Sequence, residues 1–223
     1  MDRRQLAGTI DHTLLRADAS REELLELCRT AAERGFHSVC VNSGAAGFCR
    51  EALGGSPVVV AVTVGFPLGG SGIDSKVFEA QSAIARGAGE IDYVVDLGAV
   101  KSGLWDLVEE EMARMTAACH GLGAGCKVIF ENCCLTEGEK ERLCGIARRV
   151  RPDFVKTTTG FGTAGATVED VAMMKRLVGE GIEVKAAGGI RTTEQALRML
   201  AAGATRLGAS SGVAIVEGFT PEA

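Results

Sequence analysis

The feature that most constrains the fold is a unit of a short apolar run, a turn and a helical pattern, which recurs eight times along the chain. The run from Val58 to Val64 is rich in β-branched residues, as expected for a strand that is buried on both faces of a parallel sheet. Residues 20–34 carry apolar side chains at helical spacing, and Ser20 with Glu23 forms a capping-box signature at their start. The alternation of strands and helices predicts parallel pairing of the strands.

Periodicity locates the units along the chain. The predicted strands lie near 10–15, 38–42, 58–64, 90–95, 126–130, 153–157, 183–187 and 205–208. The predicted helices lie near 2–8, 20–34, 43–53, 74–86, 103–119, 137–149, 167–179 and 192–202, with a short last one from about 212. Eight units in 223 residues fit an α/β fold, a single (β/α)8 TIM barrel over residues 1–223 with a short extra N-terminal helix. A doubly wound open sheet is the alternative, because periodicity does not show whether a sheet closes.

Composition narrows the class of partner. The net charge of −5, without a long run of like charge, argues against a nucleic-acid partner, for which a basic stripe is typical. The N-terminal segment lacks the apolar core of a signal peptide, and no apolar run reaches the roughly 20 residues that cross a membrane. The eight cysteines show neither a CxxC pair nor a Cys/His spacing typical of zinc. We therefore expect a cytoplasmic protein with reduced thiols, no metal and no membrane partner.

Four charged residues stand inside predicted strands, where side chains should be dry. They are Asp92 in strand 4 and Lys127, Lys156 and Lys185 in strands 5, 6 and 7. Lysine and aspartate are rarely fully buried unless they are paired or functional. A lone strand lysine usually lies at a strand end with its ammonium in solvent, and Lys127 could simply pair with Glu131 on the same face of its strand. Because the four residues lie on neighbouring strands, we favour a shared functional cluster in the barrel lumen.

Imine formation is the chemistry that such a cluster fits. An unperturbed lysine, with a pKa of about 10.4, is neutral in only about 1 of 2,500 molecules at pH 7. An apolar environment and a second ammonium group nearby both lower that pKa. Lys156 and Lys185 lie on adjacent strands, so one of them can provide the second ammonium group beside the other. A nearby carboxylate would then move the protons that the steps of the reaction require.

The segment from Gly160 to Gly165 matches G-x-G-x-x-G between a predicted strand and a predicted helix, as in dinucleotide sites. Its position disfavours that interpretation, because the unit is the sixth in the chain and leaves fewer than about 60 residues for the rest of a Rossmann half. The acidic residue about 20 positions further on, Glu183, also begins the next strand, whereas a ribose-binding acid ends it.

Two other glycine-rich loops follow strands 7 and 8. Barrels often bind phosphate with these loops and a short helix N-terminus, because free backbone N–H groups there point at the anion. We therefore expect a phosphorylated small-molecule substrate, although ordinary tight turns are the alternative explanation of the glycines. The predicted phosphate-binding residues are Gly188, Gly189, Gly208, Ser210 and Ser211.

Motifs in nearly every unit resemble those of a known family, the deoxyribose-phosphate aldolases. Several of these motifs are long and they occur in the family's order, so the similarity is specific and runs almost from end to end. They are IDHTLL (10–15), VCVN (39–42), VGFPLG (64–69), GEIDYVVDLGAVKSG (89–103), KVIFE (127–131), DFVKTTTGFG (153–162), VKAAGGIR (184–191) and RLGASSG (206–212).

The resemblance implies a reversible cleavage of 2-deoxy-D-ribose 5-phosphate to acetaldehyde and D-glyceraldehyde 3-phosphate, without a metal or other cofactor. It implies that Lys156 forms the Schiff base, that Lys185 lowers the pKa of Lys156 and helps to shuttle protons, and that Asp92 donates and accepts protons. The similarity also suggests a lining for the substrate pocket, which comprises Asp11, Thr13, Cys40, Lys127 and Thr158.

The sequence departs from the family pattern in three places. ENCCLT replaces the more usual Glu-Thr start after strand 5, and Ala209 stands where threonine is common. Tyr93 is the only tyrosine, so the role of a C-terminal tyrosine relay is either missing or passes to water and Asp92. Two other functions stay open: a Schiff-base aldolase or transaldolase for a different phosphorylated sugar, and a phosphosugar-binding barrel without catalysis. A homodimer is the expected assembly, since many barrels pair.

Overall fold

The computed structural model describes residues 1–220, in which eight parallel strands form a closed barrel in sequence order. The barrel prediction is therefore confirmed, and the open-sheet alternative is wrong. The last three residues of the predicted 1–223 domain lie outside the described residues. The strands are β1 Ile10–Leu14, β2 Ser38–Asn42, β3 Val59–Val64, β4 Glu90–Val94, β5 Gly125–Ile129, β6 Phe154–Lys156, β7 Glu183–Ala187 and β8 Arg206–Ala209.

Helices follow the strands and surround the barrel. They are α1 Arg3–Ala7, α2 Arg21–Arg34, α3 Ala46–Leu53, α4 Ile73–Ala85, α5 Leu97–Lys101, α6 Trp105–Gly121, α7 Glu137–Val150, α8 Val168–Val178, α9 Thr193–Ala201 and α10 Gly212–Glu217. Short 3₁₀ turns precede α3 and α7, at Ser43–Ala45 and Asn132–Cys134. Within residues 1–220 no helix is both long enough and apolar enough to pass through a lipid bilayer.

Local capping chemistry explains where several helices begin. The Ser20 side chain accepts from the backbone N–H of Glu23, whose carboxylate accepts in return from the N–H of Ser20, as the sequence predicted. The short helix α5 was not predicted, because the periodicity places residues 96–102 in a connection between the strand near 90–95 and the helix near 103–119. Its start is marked by Asp96, whose side chain accepts from the N–H of Ala99.

The alternation of side chains along each strand separates two environments. Outward-facing residues pack against the helices and form the main core, which includes Val39, Val41, Val60, Val62, Ile91, Val128, Val155 and Val184. Inward-facing residues fill the lumen. The register places Asp92 opposite Lys127, and Lys156 opposite Lys185, so four charged side chains reach one level of the barrel.

Candidate active site

Asp92 is the centre of a buried charge cluster in the lumen. The amines of Lys156 and Lys185 lie 2.8 and 2.7 Å from the same carboxylate oxygen, Asp92 Oδ2. The amine of Lys127 donates to the other oxygen, Oδ1, at 2.7 Å. All four side chains are buried. The structure thus brings together the four charged residues that the sequence placed in strands 4 to 7.

A second group of charges lies beside this cluster and completes its pairing. Lys185 donates to Asp11, which also accepts from Arg206 at 3.0 Å. Glu90 lies 2.6 Å from the amine of Lys127 and 3.0 Å from the guanidinium of Arg206. Each buried charge therefore contacts at least one of opposite sign, which a dry lumen requires.

These contacts determine the charge that each group carries. Burial alone would raise the pKa of Asp92, but the three lysines around it hold that pKa well below its usual range. Burial likewise opposes the charge on Lys185, yet Asp11 and Asp92 raise its pKa above the ordinary value. At neutral pH Asp92 is therefore a carboxylate and Lys185 an ammonium ion.

The pairing of Lys127 with Glu131, considered from the sequence, is wrong. Lys127 contacts Asp92 and Glu90 instead. Glu131 follows the end of β5 and has a φ of 56°, which takes its side chain out of the alternation of the strand. Its carboxylate accepts from the backbone N–H and the hydroxyl of Thr159 in the loop after β6.

A cavity opens above the cluster, at the end of the barrel where the strands terminate. Lys156 is the lysine of the cluster that reaches it. The rest of its lining comes from the last residues of β1, β7 and β8 and from the loops after β1, β6, β7 and β8. It comprises Thr13, Leu14, Leu15, Arg16, Thr159, Gly160, Phe161, Ala187, Gly188, Gly189, Ile190, Arg191, Gly208, Ala209 and Ser210.

The residues expected to line the pocket differ in their access to the cavity. Thr13 lines the cavity, whereas Asp11, Cys40 and Lys127 are buried and do not belong to its lining. The hydroxyl of Thr158 lies 3.2 Å from the carbonyl oxygen of Ala187 and is buried, so it ties the β6 loop to β7.

The glycine loops approach one another closely. Gly188 and Gly189 have φ values of 90° and 78°, which side-chain-bearing residues rarely adopt. A Cβ on Gly165 would lie 2.3 Å from the carbonyl oxygen of Gly188. The G-x-G-x-x-G segment thus packs against the loop after β7, and helix α8 begins only after it, at Val168.

Four of the five predicted phosphate residues line the cavity, namely Gly188, Gly189, Gly208 and Ser210. Ser211 is absent from the described lining and precedes helix α10 instead.

Sequence reasoning missed several residues that shape the site. Glu90 shares a strand face with Asp92, and Arg206 follows the same alternation in β8, so the period of two could have identified both. Phe66 and Phe161 could not have been paired from the sequence. They lie in the loops after β3 and β6, and their rings meet edge to face at 5.2 Å across the mouth of the barrel.

Tyr93 lies outside the lumen cluster. It is fully buried on the opposite face of β4 from Asp92, and burial raises the pKa of its hydroxyl well above the usual value. The side chain that could have replaced a tyrosine relay therefore faces the helix layer and not the cavity.

One group of residues has the composition of a metal site. Ligand atoms of Asp11, His37 and Glu90 lie within 4.8 Å of one another. The two carboxylates are already bound by Arg206, and Glu90 also by Lys127, so cationic side chains occupy the positions around these oxygens. This donor set fits an ion-pair network better than it fits a divalent cation.

Comparison with known proteins places this geometry in a family. The sequence model of the DeoC/LacD family aldolases matches residues 6–218. A deoxyribose-phosphate aldolase of Aciduliprofundum boonei is 49% identical over 97% of this chain and 98% of its own length. One of Thermococcus kodakarensis is 48% identical over 100% of both.

Solved structures agree with the sequence comparison. A structure described as QR15, an aldolase, has a TM-score of 0.90 and 37% identity, with 95% of this chain and 94% of its own covered. The deoxyribose phosphate aldolase from Aeropyrum pernix, described as a unique tetramer, has a TM-score of 0.87 and 32% identity over 97% and 91%. With the family match spanning nearly all of the sequence and full-length relatives near half identity, this chain belongs to the DeoC/LacD family of aldolases.

Proposed function

We propose that the protein is a class I aldolase that reversibly cleaves 2-deoxy-D-ribose 5-phosphate to acetaldehyde and D-glyceraldehyde 3-phosphate. The observation that carries the proposal is the contact of Lys156 and Lys185 with one oxygen of Asp92, at the floor of a cavity, in a chain of this aldolase family. The curated relatives that carry the name deoxyribose-phosphate aldolase support the choice of substrate.

Lys156 is the proposed nucleophile, because it is the lysine of the cluster that lines the cavity. Its neutral amine adds to the aldehyde carbon of the open-chain sugar, and loss of water from the carbinolamine leaves a protonated imine. The C3 hydroxyl then loses its proton, and the C2–C3 bond breaks as its electron pair moves toward the imine nitrogen. Glyceraldehyde 3-phosphate leaves, the enamine is protonated at C2, and water releases acetaldehyde.

Asp92 is the proposed proton carrier for these steps. It is ionised and within hydrogen-bond distance of both amines, so a proton leaving one of them has an acceptor without any rearrangement. Lys185 keeps its proton, since Asp11 and Asp92 stabilise the ammonium form. In the resting enzyme it therefore supplies a positive charge beside the reacting amine, and a fixed positive charge generally disfavours a second one nearby. During turnover it can pass its proton to Asp92 and take it back, which is its proposed part in proton transfer.

The loops after β7 and β8 are the proposed phosphate site. Gly188 and Gly189 present a backbone without side chains at the cavity wall, and both have a positive φ, which is common in the backbone concavities that bind anions. Arg191 lines the same cavity and adds positive charge in a protein whose overall charge is −5. Gly208 and Ser210 belong to the same proposed site.

Borohydride reduction in the presence of acetaldehyde tests the proposal. We expect a reduced adduct on Lys156, located by peptide mass analysis, and no adduct with Lys156→Ala, which should fold normally and show no turnover. Lys101→Ala is the matched control, because Lys101 is a surface lysine that pairs with Glu139. An adduct on another residue of an active enzyme would overturn the assignment of Lys156. A trapped adduct without cleavage of deoxyribose 5-phosphate would favour another phosphorylated sugar as the substrate. If the protein showed no trapping and no cleavage, a binding protein without catalysis would be favoured.

Assembly and location are further parts of the proposal. We propose a homodimer, which light scattering after size-exclusion chromatography would test against a monomer or a tetramer. We propose the cytoplasm as the location, because all eight cysteines are free thiols, as a reducing compartment maintains them.

A further inference from the structure

Glu131 is a buried carboxylate outside the lysine cluster. It is 4% exposed, and it is one of two non-glycine residues with positive φ among residues 1–220. Non-glycine residues adopt this backbone conformation infrequently, and they persist there where surrounding contacts stabilise it. Among the ion pairs of the described residues none involves Glu131, so its oxygens are available to neutral donors.

The donors come from the loop after β6. One oxygen of Glu131 accepts from the backbone N–H of Thr159 at 3.2 Å and from the Thr159 hydroxyl. The other oxygen lies 3.5 Å from the sulfur of Cys133. A Cβ on Gly162 would lie 2.6 Å from that sulfur and 3.0 Å from the carboxylate, so the loop rests directly on this turn.

The chain of contacts continues to the mouth of the barrel. The Thr159 hydroxyl oxygen, which donates to Glu131, accepts from the backbone N–H of Phe161 at 3.0 Å. The ring of Phe161 then meets the ring of Phe66 at 5.2 Å, with an interplanar angle of 89°. Thr159, Gly160 and Phe161 all line the cavity, and none of them contacts Asp92.

We propose that Glu131 is a positioning residue, which holds the β6 loop and Phe161 across the mouth and thereby sets the affinity for the phosphorylated sugar. This inference rests on the proposed aldolase function. Glu131 acts through Thr159 and does not touch the reacting atoms. Its loss should therefore weaken substrate binding while the lysine chemistry beneath it continues. Acetaldehyde needs only the amine of Lys156, so borohydride trapping of acetaldehyde measures imine formation at Lys156 independently of the β6 loop.

The test compares Glu131→Gln with wild type, with Glu141→Gln as the matched control on an exposed face of α7. The carboxamide keeps the shape of the side chain but loses the charge that strengthens both hydrogen bonds. For Glu131→Gln we expect a KM for deoxyribose 5-phosphate at least about tenfold higher, a kcat within about threefold, and wild-type trapping of acetaldehyde on Lys156. The control should match wild type in all three.

Thr159→Val is the second variant, since it removes the hydroxyl and keeps the backbone. It should raise KM in the same way. The double variant Glu131→Gln/Thr159→Val should have a KM no higher than that of the more affected single variant, because both substitutions break the same chain of contacts. This variant carries the test if Glu131→Gln does not fold.

A wild-type KM in Glu131→Gln, or additive effects in the double variant, would overturn the inference. So would a loss of trapping in folded Glu131→Gln, because that would place Glu131 in the chemistry. If wild type itself neither trapped acetaldehyde nor cleaved the sugar, the proposed function would have failed instead.

Discussion

Lys156 and Lys185 share one hydrogen-bond acceptor, the Oδ2 atom of Asp92, at 2.8 and 2.7 Å. A single oxygen between two amines on adjacent strands couples their protonation, because a proton taken from one changes the field at the other. The pair differs in access: Lys156 lines the cavity, whereas Lys185 is fully buried between Asp92 and Asp11. This asymmetry assigns reaction with the substrate to Lys156 and electrostatic support to Lys185 in the proposed mechanism.

Lys185→Leu tests that support. The substitution removes the ammonium ion next to the reacting amine and leaves Lys156 in the cavity, so we expect kcat to fall by about two orders of magnitude or more. Steady-state cleavage of deoxyribose 5-phosphate measures the change. Asp92→Asn, which keeps the shape of the side chain but not its charge, should cause a loss of similar size. Wild-type activity in Lys185→Leu would remove the residue from the mechanism.

Stability should fall on both sides of neutral pH. The pKa values of Asp11 and Asp92 are lowered in the fold, so their contribution is complete above the unfolded value of about 3.9 and is lost as pH falls below it. The pKa of Lys185 is raised, so its contribution is complete below about 10.4 and is lost as pH rises further.

Urea unfolding from pH 3 to pH 11 measures this dependence. We expect a plateau in the unfolding free energy between about pH 5 and pH 10, with a decline at each end. In Asp92→Asn the acid decline should be shallower, because one titrating carboxylate is gone. An identical acid slope in that variant and wild type would contradict the assignment of a lowered pKa to Asp92.

The ion pair between Lys76 and Glu111 tests what a fully buried pair contributes. Lys76 also donates to the carbonyl oxygen of Val94 at 2.9 Å, and Glu111 accepts from the N–H of Asp96 at 2.9 Å. Burial already raises the pKa of the Glu111 carboxyl group. Because Lys76→Met leaves this buried carboxylate without its cation, we expect the free energy of unfolding to fall by about 3–5 kcal/mol.

Two further variants complete that experiment. Lys76→Met with Glu111→Leu should lose less stability than Lys76→Met alone, because neither charge is then left unpaired. Lys101→Met, which breaks the surface pair with Glu139, should lose about 1 kcal/mol at most. Equal losses in the buried and surface single variants, measured by urea unfolding, would show that burial does not govern the energy of these pairs.

Thiol labelling should discriminate among the cysteines by burial. Cys134 is exposed and Cys133 half-buried, whereas the other six are buried, and burial raises the pKa of Cys144 to about 12. With iodoacetamide at pH 8 we expect labelling of Cys134 first and Cys133 more slowly, as determined by peptide mass analysis. All eight should react in concentrated guanidinium. Rapid labelling of Cys40 in the native protein would show that the lumen opens to solvent.

Some features of the site were predictable because they depend on neighbours along the chain. The period of two within each strand and the order of strands placed Asp92, Lys127, Lys156 and Lys185 on inward faces of adjacent strands. The same reasoning failed for Glu131, because pleat alternation holds only while the strand continues. The chain turns at the positive φ of Glu131, and the side chain leaves the lumen for the β6 loop.

Local periodicity and local hydrogen bonds were enough to predict the eight strand–helix units, most helix starts and the inward-facing positions of Asp92, Lys127, Lys156 and Lys185. Three features became known only from the folded barrel: which charges meet, that Asp11 and Arg206 complete the network, and that Phe66 reaches Phe161 across the mouth. Those contacts join residues far apart in the chain, and they depend on how the barrel closes and where each loop lies. Closure brings β1 against β8, which no pattern within a single unit can specify.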